Sequence, residues 1–382
     1  MSIFAETGLS INITAPLWRS SVGYGEWVTD RTQSYTHEIR ADGGFWSASI
    51  GLGADQTYIE DWIENGLGRT ITVDDSGDVI FHGFVNQISA RIGILNMVYG
   101  PLLDIRNRVY VTFAPTDYST EPPIRGDETI TDAGNNTTSQ SRYGILIGIE
   151  NGSELVDMAE AESYRDRILD ERAYPPSSDD VSAAGQTSLT LDVTGFVHLL
   201  QYPYTNAAAT GTINASTKLA NIIAANPNIA YIPFDTTYID TNVLQVGDLS
   251  EGYDTALTII QRDIVSLGDT TQNRWTFGVY ENLCCHYHVA PTDIAYNQQI
   301  AEQAIMFESG EGAVSPWRVR PARWVFRTDY LVGRTFPTDD FRQDPRYRFI
   351  ESVTYTAPHG LQARGGKTDT LPQLLAQLGV RR

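Results

Sequence analysis

Cysteine is almost missing from this chain of 382 residues: only Cys284 and Cys285 occur, and they are neighbours. Adjacent Cα atoms lie ~3.8 Å apart, below the usual disulfide range, so no disulfide framework is expected to support the fold. Lysine is equally scarce, occurring only at Lys218 and Lys367, and arginine supplies the rest of the 27 cations. No apolar run approaches the roughly 18–20 residues of a membrane-spanning helix. The first fifteen residues have neither a basic start nor a long apolar stretch, so a cleaved secretory signal is not expected. Phosphate cradles of the G-x-x-x-x-G-K-[ST] or G-x-G-x-x-G kind are missing, as is the G-x-S-x-G nucleophile elbow. No repeat of roughly 20–50 residues is visible, which speaks against a solenoid or propeller.

Acid is what the chain has in excess. Its 47 Asp and Glu leave a net charge of −20. Phosphate backbones are bound by basic surfaces, so nucleic acid is not expected as the main partner. An acidic, lysine-poor balance keeps a protein soluble and repels non-specific partners. The same bias is found in proteins from salty environments and in products of GC-rich genomes. With 41% hydrophobic residues, the chain can fill a core and is long enough for two to four domains.

Residues 9 to about 118 read as antiparallel β-structure. Side chains alternate over Leu9–Thr14, Tyr35–Arg40, Trp46–Leu52, Thr70–Asp74 and Val79–Val85, with a hairpin turn at Asp75 to Asp78. One amphipathic helix is expected within Ala54–Glu64, from the spacing of Tyr58, Ile59, Trp62 and Ile63. Gly126 to Ser141 reads as a polar loop, followed by an apolar run Ile145–Ile149 and a helix near Asp157–Ala173 that Pro175-Pro176 ends. Leu189–Val193 and Phe196–Leu200 read as a second β-pair around Gly195. Helices are expected over Thr217–Ala225 and Tyr253–Ser266, and a hairpin over Trp275–Tyr280 and Cys284–Val289. The final segment places Leu371, Leu374, Leu375 and Leu378 at i, i+3, i+4 and i+7, an amphipathic helix after the Gly365-Gly366 link.

The expected fold class is therefore mixed, β-dominated α+β, with two small antiparallel β-barrel-like domains flanking inserted α+β domains. The expected divisions are an N-terminal β-barrel domain over 1–118, an inserted loop and helix domain over 119–188 and an α+β middle domain over 189–313. Within the last, 189–200 is free to pair with a barrel. A C-terminal β-barrel domain follows over 314–366, and a linker with its helix over 367–382.

Chemistry is thinly represented. In Cys284-Cys285-His286-Tyr287-His288, strand alternation places Cys284, His286 and His288 on one face, where three N/S donors would suit zinc. No second Cys or His pair completes such a site, so the half-buried strand is the preferred reading and no metal or cofactor is expected. Carboxylate pairs such as Glu60/Asp61, Asp179/Asp180 and Asp339/Asp340 would be needed for glycoside cleavage, yet a chain this acidic produces such pairs by chance. Asp74 to Asp78 lacks the distal glutamate of a calcium loop and reads as a turn. No catalytic residue is assigned. Tryptophan carries more information. Trp18, Trp27, Trp46, Trp317 and Trp324 fall in the β-regions, and such side chains serve either core packing or subunit contacts.

Several stretches resemble the tail-hub family of long-tailed phages, which includes baseplate hub and tail-tip minor proteins. Ser141-Arg142-Tyr143-Gly144-Ile145 precedes a helix rich in alanine and acid, and Ser139 also stands before Tyr143-Gly144. This is similar to a Ser-x-x-x-Tyr-Gly turn before the helix of the family's inserted domain. The run Gly44 to Ser49, then Gly68-Arg69-Thr70-Ile71-Thr72-Val73, then Val79-Ile80-Phe81-His82-Gly83-Phe84-Val85 resembles the family's first barrel. Leu102 to Val109 is similar to the strand that leaves it. Trp317-Arg318-Val319-Arg320-Pro321 and Phe349 to Tyr355 resemble a second barrel.

The resemblance implies a homotrimer in which two similar barrels per copy form a pseudo-sixfold ring, joining a hexameric tail tube to a threefold tip. It also implies a virion location at the tail tip after synthesis in a bacterial or archaeal host. The implied partners are a distal tail protein, the tape measure and fibre or spike proteins, with DNA only in transit through the lumen and no membrane insertion. Interface candidates are the five tryptophans and the four leucines of the C-terminal helix. Two other readings stand beside this one: a hexameric distal-tail or fibre-attachment protein, and a secreted carbohydrate-active enzyme on a β-scaffold.

Overall fold

The computed structural model describes residues 9–19, 24–75, 78–182, 185–227, 233–250, 254–271, 273, 275–289, 325–327, 347–356 and 360–365. Its first strand shows why the chain folds as sheet. Along β1 (Leu9–Thr14) buried and half-buried side chains alternate without a break, with Leu9, Ile11 and Ile13 inward. That period of two is what a strand with one wet face requires. A short strand β2 (Gly25–Trp27) lies against the outer side of β1. β3 (Thr32–Arg40) and β4 (Gly43–Leu52) form a hairpin.

Helix α1 (Gln56–Asn65) begins where the Asp55 carboxylate accepts a hydrogen bond from the Tyr58 amide at 2.9 Å. It buries Ile59 and Trp62 completely. β5 (Thr70–Asp75), β6 (Asp78–Ile92) and β7 (Leu95–Tyr99) follow. At 15 residues, β6 is long enough to pair with β5 at its start and with β7 at its end.

The chain then leaves the main sheet. β8 (Arg108–Phe113) is the central strand of a small separate sheet and lies before position 118. A finger carries β9 (Thr116–Asp117) and β10 (Ile124–Arg125). β11 (Thr129–Ile130) and β12 (Gly134–Asn135) pair antiparallel with β8. Helix α2 (Thr137–Tyr143) occupies the end of the segment expected as a polar loop. The Asn136 side chain caps it by accepting from Ser139 N at 3.0 Å, a local bond that no apolar periodicity announces. β13 (Ile147–Asn151) runs parallel to β8, and α3 (Met158–Arg172) covers the sheet. Val111, Phe113 and Ala161 form a core of the insertion's own. The excursion closes where it opened: Arg106 N donates to Arg172 O at 2.8 Å and Gly100 N to Pro176 O at 2.9 Å.

β14 (Ser177–Val181) adds to β7, and β15 (Ser188–Gly195) inserts between β4 and β6 in the middle of the main sheet. The expected strand at Phe196–Leu200 is instead a tight helical turn. Four of its five side chains are buried, so a packed apolar run stands there with no alternation to hold it extended. Next come β16 (Thr212–Asn214), α4 (Ala215–Ala224), β17 (Gln245–Gly247) and α5 (Ala256–Ile259). The helical path of α5 continues with wider and then tighter turns to Leu267.

The hairpin of β18 (Trp275–Val279) and β19 (Cys285–Val289) touches β4 in parallel at Gly278/Gly43 and Val279/Gly44. Gly44 has φ +75°, and a Cβ there would stand 2.3 Å from Val279 O, so glycine permits the crossing. Last come β20 (Val325–Arg327), β21 (Tyr347–Thr356) and β22 (Gly360–Gly365). β21 pairs with β3, so these strands extend the main sheet.

The main sheet thus has the order β2-β1-β5-β6-β15-β4-β3-β21-β20, with β7, β14, β18, β19 and β22 off that path. A single large core cluster runs beneath it and reaches α1, α4 and α5. The fold is mixed α+β dominated by antiparallel strands. Most of the segment expected as a second barrel, and all of 367–382, lies outside the described residues.

Candidate functional site

Ser139, Tyr143 and Gly144, the residues behind the hub resemblance, come together where the insertion meets the main sheet. Ser139 is fully buried, and its hydroxyl donates to Ala173 O at the end of α3. Asn107 Nδ2 donates to Ser139 Oγ at 3.2 Å and to Gly144 O at 2.8 Å, while its Oδ1 accepts from Leu146 N at 2.8 Å. One buried amide therefore ties the start of β8, helix α2 and the approach to β13. Gly144, at φ +78°, turns the chain out of α2. Tyr143 is buried, its hydroxyl 3.2 Å from that of Tyr99 on β7. From the body, Trp18 Nε1 donates to Arg142 O at 3.1 Å, and the Arg142 guanidinium bonds Glu64 O at the end of α1. The insertion is thus docked by named bonds to both α1 and β7.

A second surface is the β2 edge. Arg69, buried on β5's approach, stacks its guanidinium 3.9 Å from the Tyr24 ring centroid and 4.7 Å from that of Trp62. It also pairs with Asp61 at 2.9 Å. Burial alone would push Asp61 up, but hydrogen bonds from Arg69 and Asn65 outweigh it and hold the carboxyl below its usual range. Tyr24 donates to Glu26 at 2.6 Å and Tyr58 to the other oxygen of Glu26 at 3.1 Å. Burial, then the Glu26 hydrogen bond, pushes the Tyr24 phenol well up, so it stays a donor. With Glu26 held inward, Trp27 stands in solvent at 63% exposure.

The other interface candidates fall elsewhere. Trp18 packs edge-on to Phe84 at 6.0 Å and is buried. Trp46 is half-buried between the Arg40 guanidinium, at 4.1 Å, and His198, at 4.2 Å. Trp317, Trp324, Leu371, Leu374, Leu375 and Leu378 lie outside the described residues.

In the β18–β19 hairpin, Cys284 is turned toward Asp235, Sγ to Oδ2 3.6 Å. His286 stacks flat on Tyr238 at 4.8 Å and meets Tyr280 edge-on at 5.1 Å. The His286 and His288 rings are 6.4 Å apart. Among the described residues no group of three or more His, Cys, Asp or Glu gathers at metal-ligating range. Cys285 is fully buried, and burial raises its thiol far above the usual range. Of the carboxylate pairs, Asp61 serves Arg69, Asp179 and Asp180 lie exposed on β14, and Asp339/Asp340 lie outside the described residues.

Sequence reasoning missed Arg106. It lines a cleft between the insertion and the body with Leu103, Ile145, Ile147, Leu199 and Gln201. Those residues come from segments nearly a hundred positions apart, so no local spacing signals them.

No protein-family model matches the chain, and no curated protein sequence matches it. Among solved structures it is similar to the tail protein from Neisseria meningitidis MC58, at 8% identity and a TM-score of 0.38 over 94% of this chain and 95% of that one. It is likewise similar to the 43 kDa tail protein of prophage MuSo2 from Shewanella oneidensis, at 8% identity and a TM-score of 0.39 over 94% and 95% of the two chains.

Proposed function

We propose that the chain is a structural subunit of a viral tail and acts at its tip as a hub. Three copies ring the end of the tail tube and offer threefold partners a matching face. One observation carries this reading. The Ser139, Tyr143 and Gly144 motif, which the hub resemblance puts before the helix of the inserted domain, precedes α3 and helps build the buried joint between a large antiparallel sheet and an inserted small domain. A joint of this kind fixes the insertion relative to the sheet, as a ring subunit needs if contacts on both parts are to close around an axis. The acidic balance, −20 over the chain, suits a conduit wall that DNA passes without binding.

Electron cryo-microscopy of the assembled particle, with native mass spectrometry of the purified chain, tests the reading. A trimer with pseudo-sixfold density at the tail tip is expected. A sixfold ring of this chain would transfer it to the distal-tail position, and an obligate monomer that is absent from particles would overturn the structural role.

A further inference from the structure

We propose that β14 of one copy pairs edge to edge with β20 of the next, and with the arginine-rich run that leads into β20, so that the sheet continues from copy to copy. This rests on the ring reading above and names the contact that would make the ring.

β14 is a strand with nothing to bury. Ser177, Ser178, Asp179, Asp180 and Val181 are all exposed, Val181 at 68%. Among the described residues its one ladder runs to β7. Gly100 N donates to Pro176 O at 2.9 Å and Ser182 N to Ile94 O at 2.8 Å, so the even-numbered residues face β7. In an antiparallel ladder the odd-numbered ones then turn their N–H and C=O groups outward. The Asp180 carboxylate accepts from Val181 N at 2.7 Å, which leaves Ser177 and Asp179 as the open donors of the edge.

Neighbouring strand residues point to opposite faces, so Asp179 and Asp180 put an acid on each face of this edge. Like charges opposite one another are destabilising, which rules out β14 of a second copy as the partner. The edge suits instead an extended cationic segment, with apolar side chains to cover Val181 and the exposed Ile94 at the turn into β7.

Such a segment stands in the chain itself. Residues 312–328 hold Arg318, Arg320, Arg323 and Arg327 and no acid, with Trp317, Val319, Trp324 and Val325 among them. Beyond Pro321, residues 322–327 match β14 in length, and their last three form β20. β20 pairs with β21 and comes last in the order of the main sheet. From β14 that order runs through β7, β6, β15, β4, β3 and β21. The sheet therefore has an acidic edge at β14 and a cationic one at β20. Contact between two unlike edges is heterologous, and it closes into a ring when the rotation allows. For copies that each carry −20, it is also a place where local charge offsets their mutual repulsion.

The test uses the full chain, with self-association measured by light scattering and native mass spectrometry. Asp179→Pro removes an outward N–H that the β7 ladder does not use, so the fold and its melting temperature should stay unchanged. It is expected to weaken self-association at least about tenfold. Asp179→Arg with Asp180→Arg, and Arg323→Asp with Arg327→Asp, are each expected to weaken it as much, and all four together to regain most of it. Amide exchange at Ser177 and Asp179 should slow on assembly. If the arginine variant does not fold, a synthetic peptide of residues 316–328 decides: it should compete with assembly of the wild type and not bind the Asp179→Pro chain. A wild-type ring unaffected by Asp179→Pro, or one whose Ser177 and Asp179 amides exchange as in the monomer, overturns the edge contact and leaves the ring reading standing. Weakening by the β14 variants but not by a folded arginine variant gives β14 to a different strand and overturns it too. A wild-type chain that stays monomeric at all concentrations overturns both readings.

Discussion

His37 is fully buried on β3 with aromatic neighbours on three strands: Tyr35 at 5.4 Å, Phe81 at 6.0 Å and Tyr355 at 5.7 Å. Burial lowers its pKa to about 3. His82 is lowered to about 4 by burial, partly opposed by Glu281. His198 is lowered to about 4 by burial and by Arg40. In the unfolded chain each titrates near 6.5. Above that pH they are neutral in both states and give stability no slope. Below it the unfolded chain takes up protons that the native one refuses, so stability falls from about pH 6.5 toward pH 4. Each histidine adds up to roughly 1.4 kcal/mol per pH unit. Urea unfolding of a His37→Phe variant should show a slope in this window shallower by about one proton; an unchanged slope would mean that His37 is not held neutral. At the insertion joint, Asn107→Leu leaves Leu146 N and Gly144 O without their buried partner. It should cost about 2–4 kcal/mol in the same assay, against about 1–3 for Ser139→Ala.

At the scale of elements, β2 is only three residues long, and the stacked Arg69 ties it to α1 through Tyr24 and Glu26. Lysine keeps the charge but has no plane to stack, so Arg69→Lys should loosen β2 selectively. Amide exchange at Glu26 and Trp27 is expected to speed up at least tenfold while β6 and β15 stay protected; equal acceleration everywhere would show that Arg69 serves the whole core instead. Elements differ in how far the sequence reveals them. β1 and β15 were legible because each has one wet face, and alternation marks it. The turn at Phe196–Leu200 was not, since a run buried on most sides carries no period. Helix α2 was hidden because it is polar and held by the Asn136 cap. The sequence singled out Ser139 and Tyr143-Gly144 as a turn before a helix and not as a joint, and their partner Asn107 did not stand out, because an isolated asparagine resembles any surface amide until three segments close on it. The insertion also makes a separable unit. Its two ends meet at Arg106 N to Arg172 O, so replacing residues 107–171 by a short glycine-serine link should leave a folded body. Its melting temperature should fall by several degrees, since Trp18 and Tyr99 lose their partners across the joint.

The whole molecule depends on pairings that sequence order conceals. β15 lies between β4 and β6, and its Leu189, Leu191 and Val193 are almost fully buried there. Burying each such side chain contributes about 1.5–3 kcal/mol, so these three outweigh most single features of the fold. β21 comes from still farther along the chain, placing Tyr355 opposite His37 on β3, fully buried. A body completed by such distant strands pays its loop-closure entropy before its core rewards it. Fragments that end before β15 should therefore not fold, although they hold β1 to β7 and the entire insertion. A chain ending at residue 187 leaves β4 and β6 with open inner edges and the underside of Phe45 and Phe84 wet. It should melt without a cooperative transition from the main sheet, keeping at most the small core around Val111 and Phe113. Adding the complementary fragment of residues 186–382 should restore cooperativity in proportion to its concentration, because it supplies β15, β18 and β21 together with the helices that fill the core. Cooperative melting of the 187-residue fragment by itself would show instead that the sheet closes without β15, and that the strand is added to a body already formed.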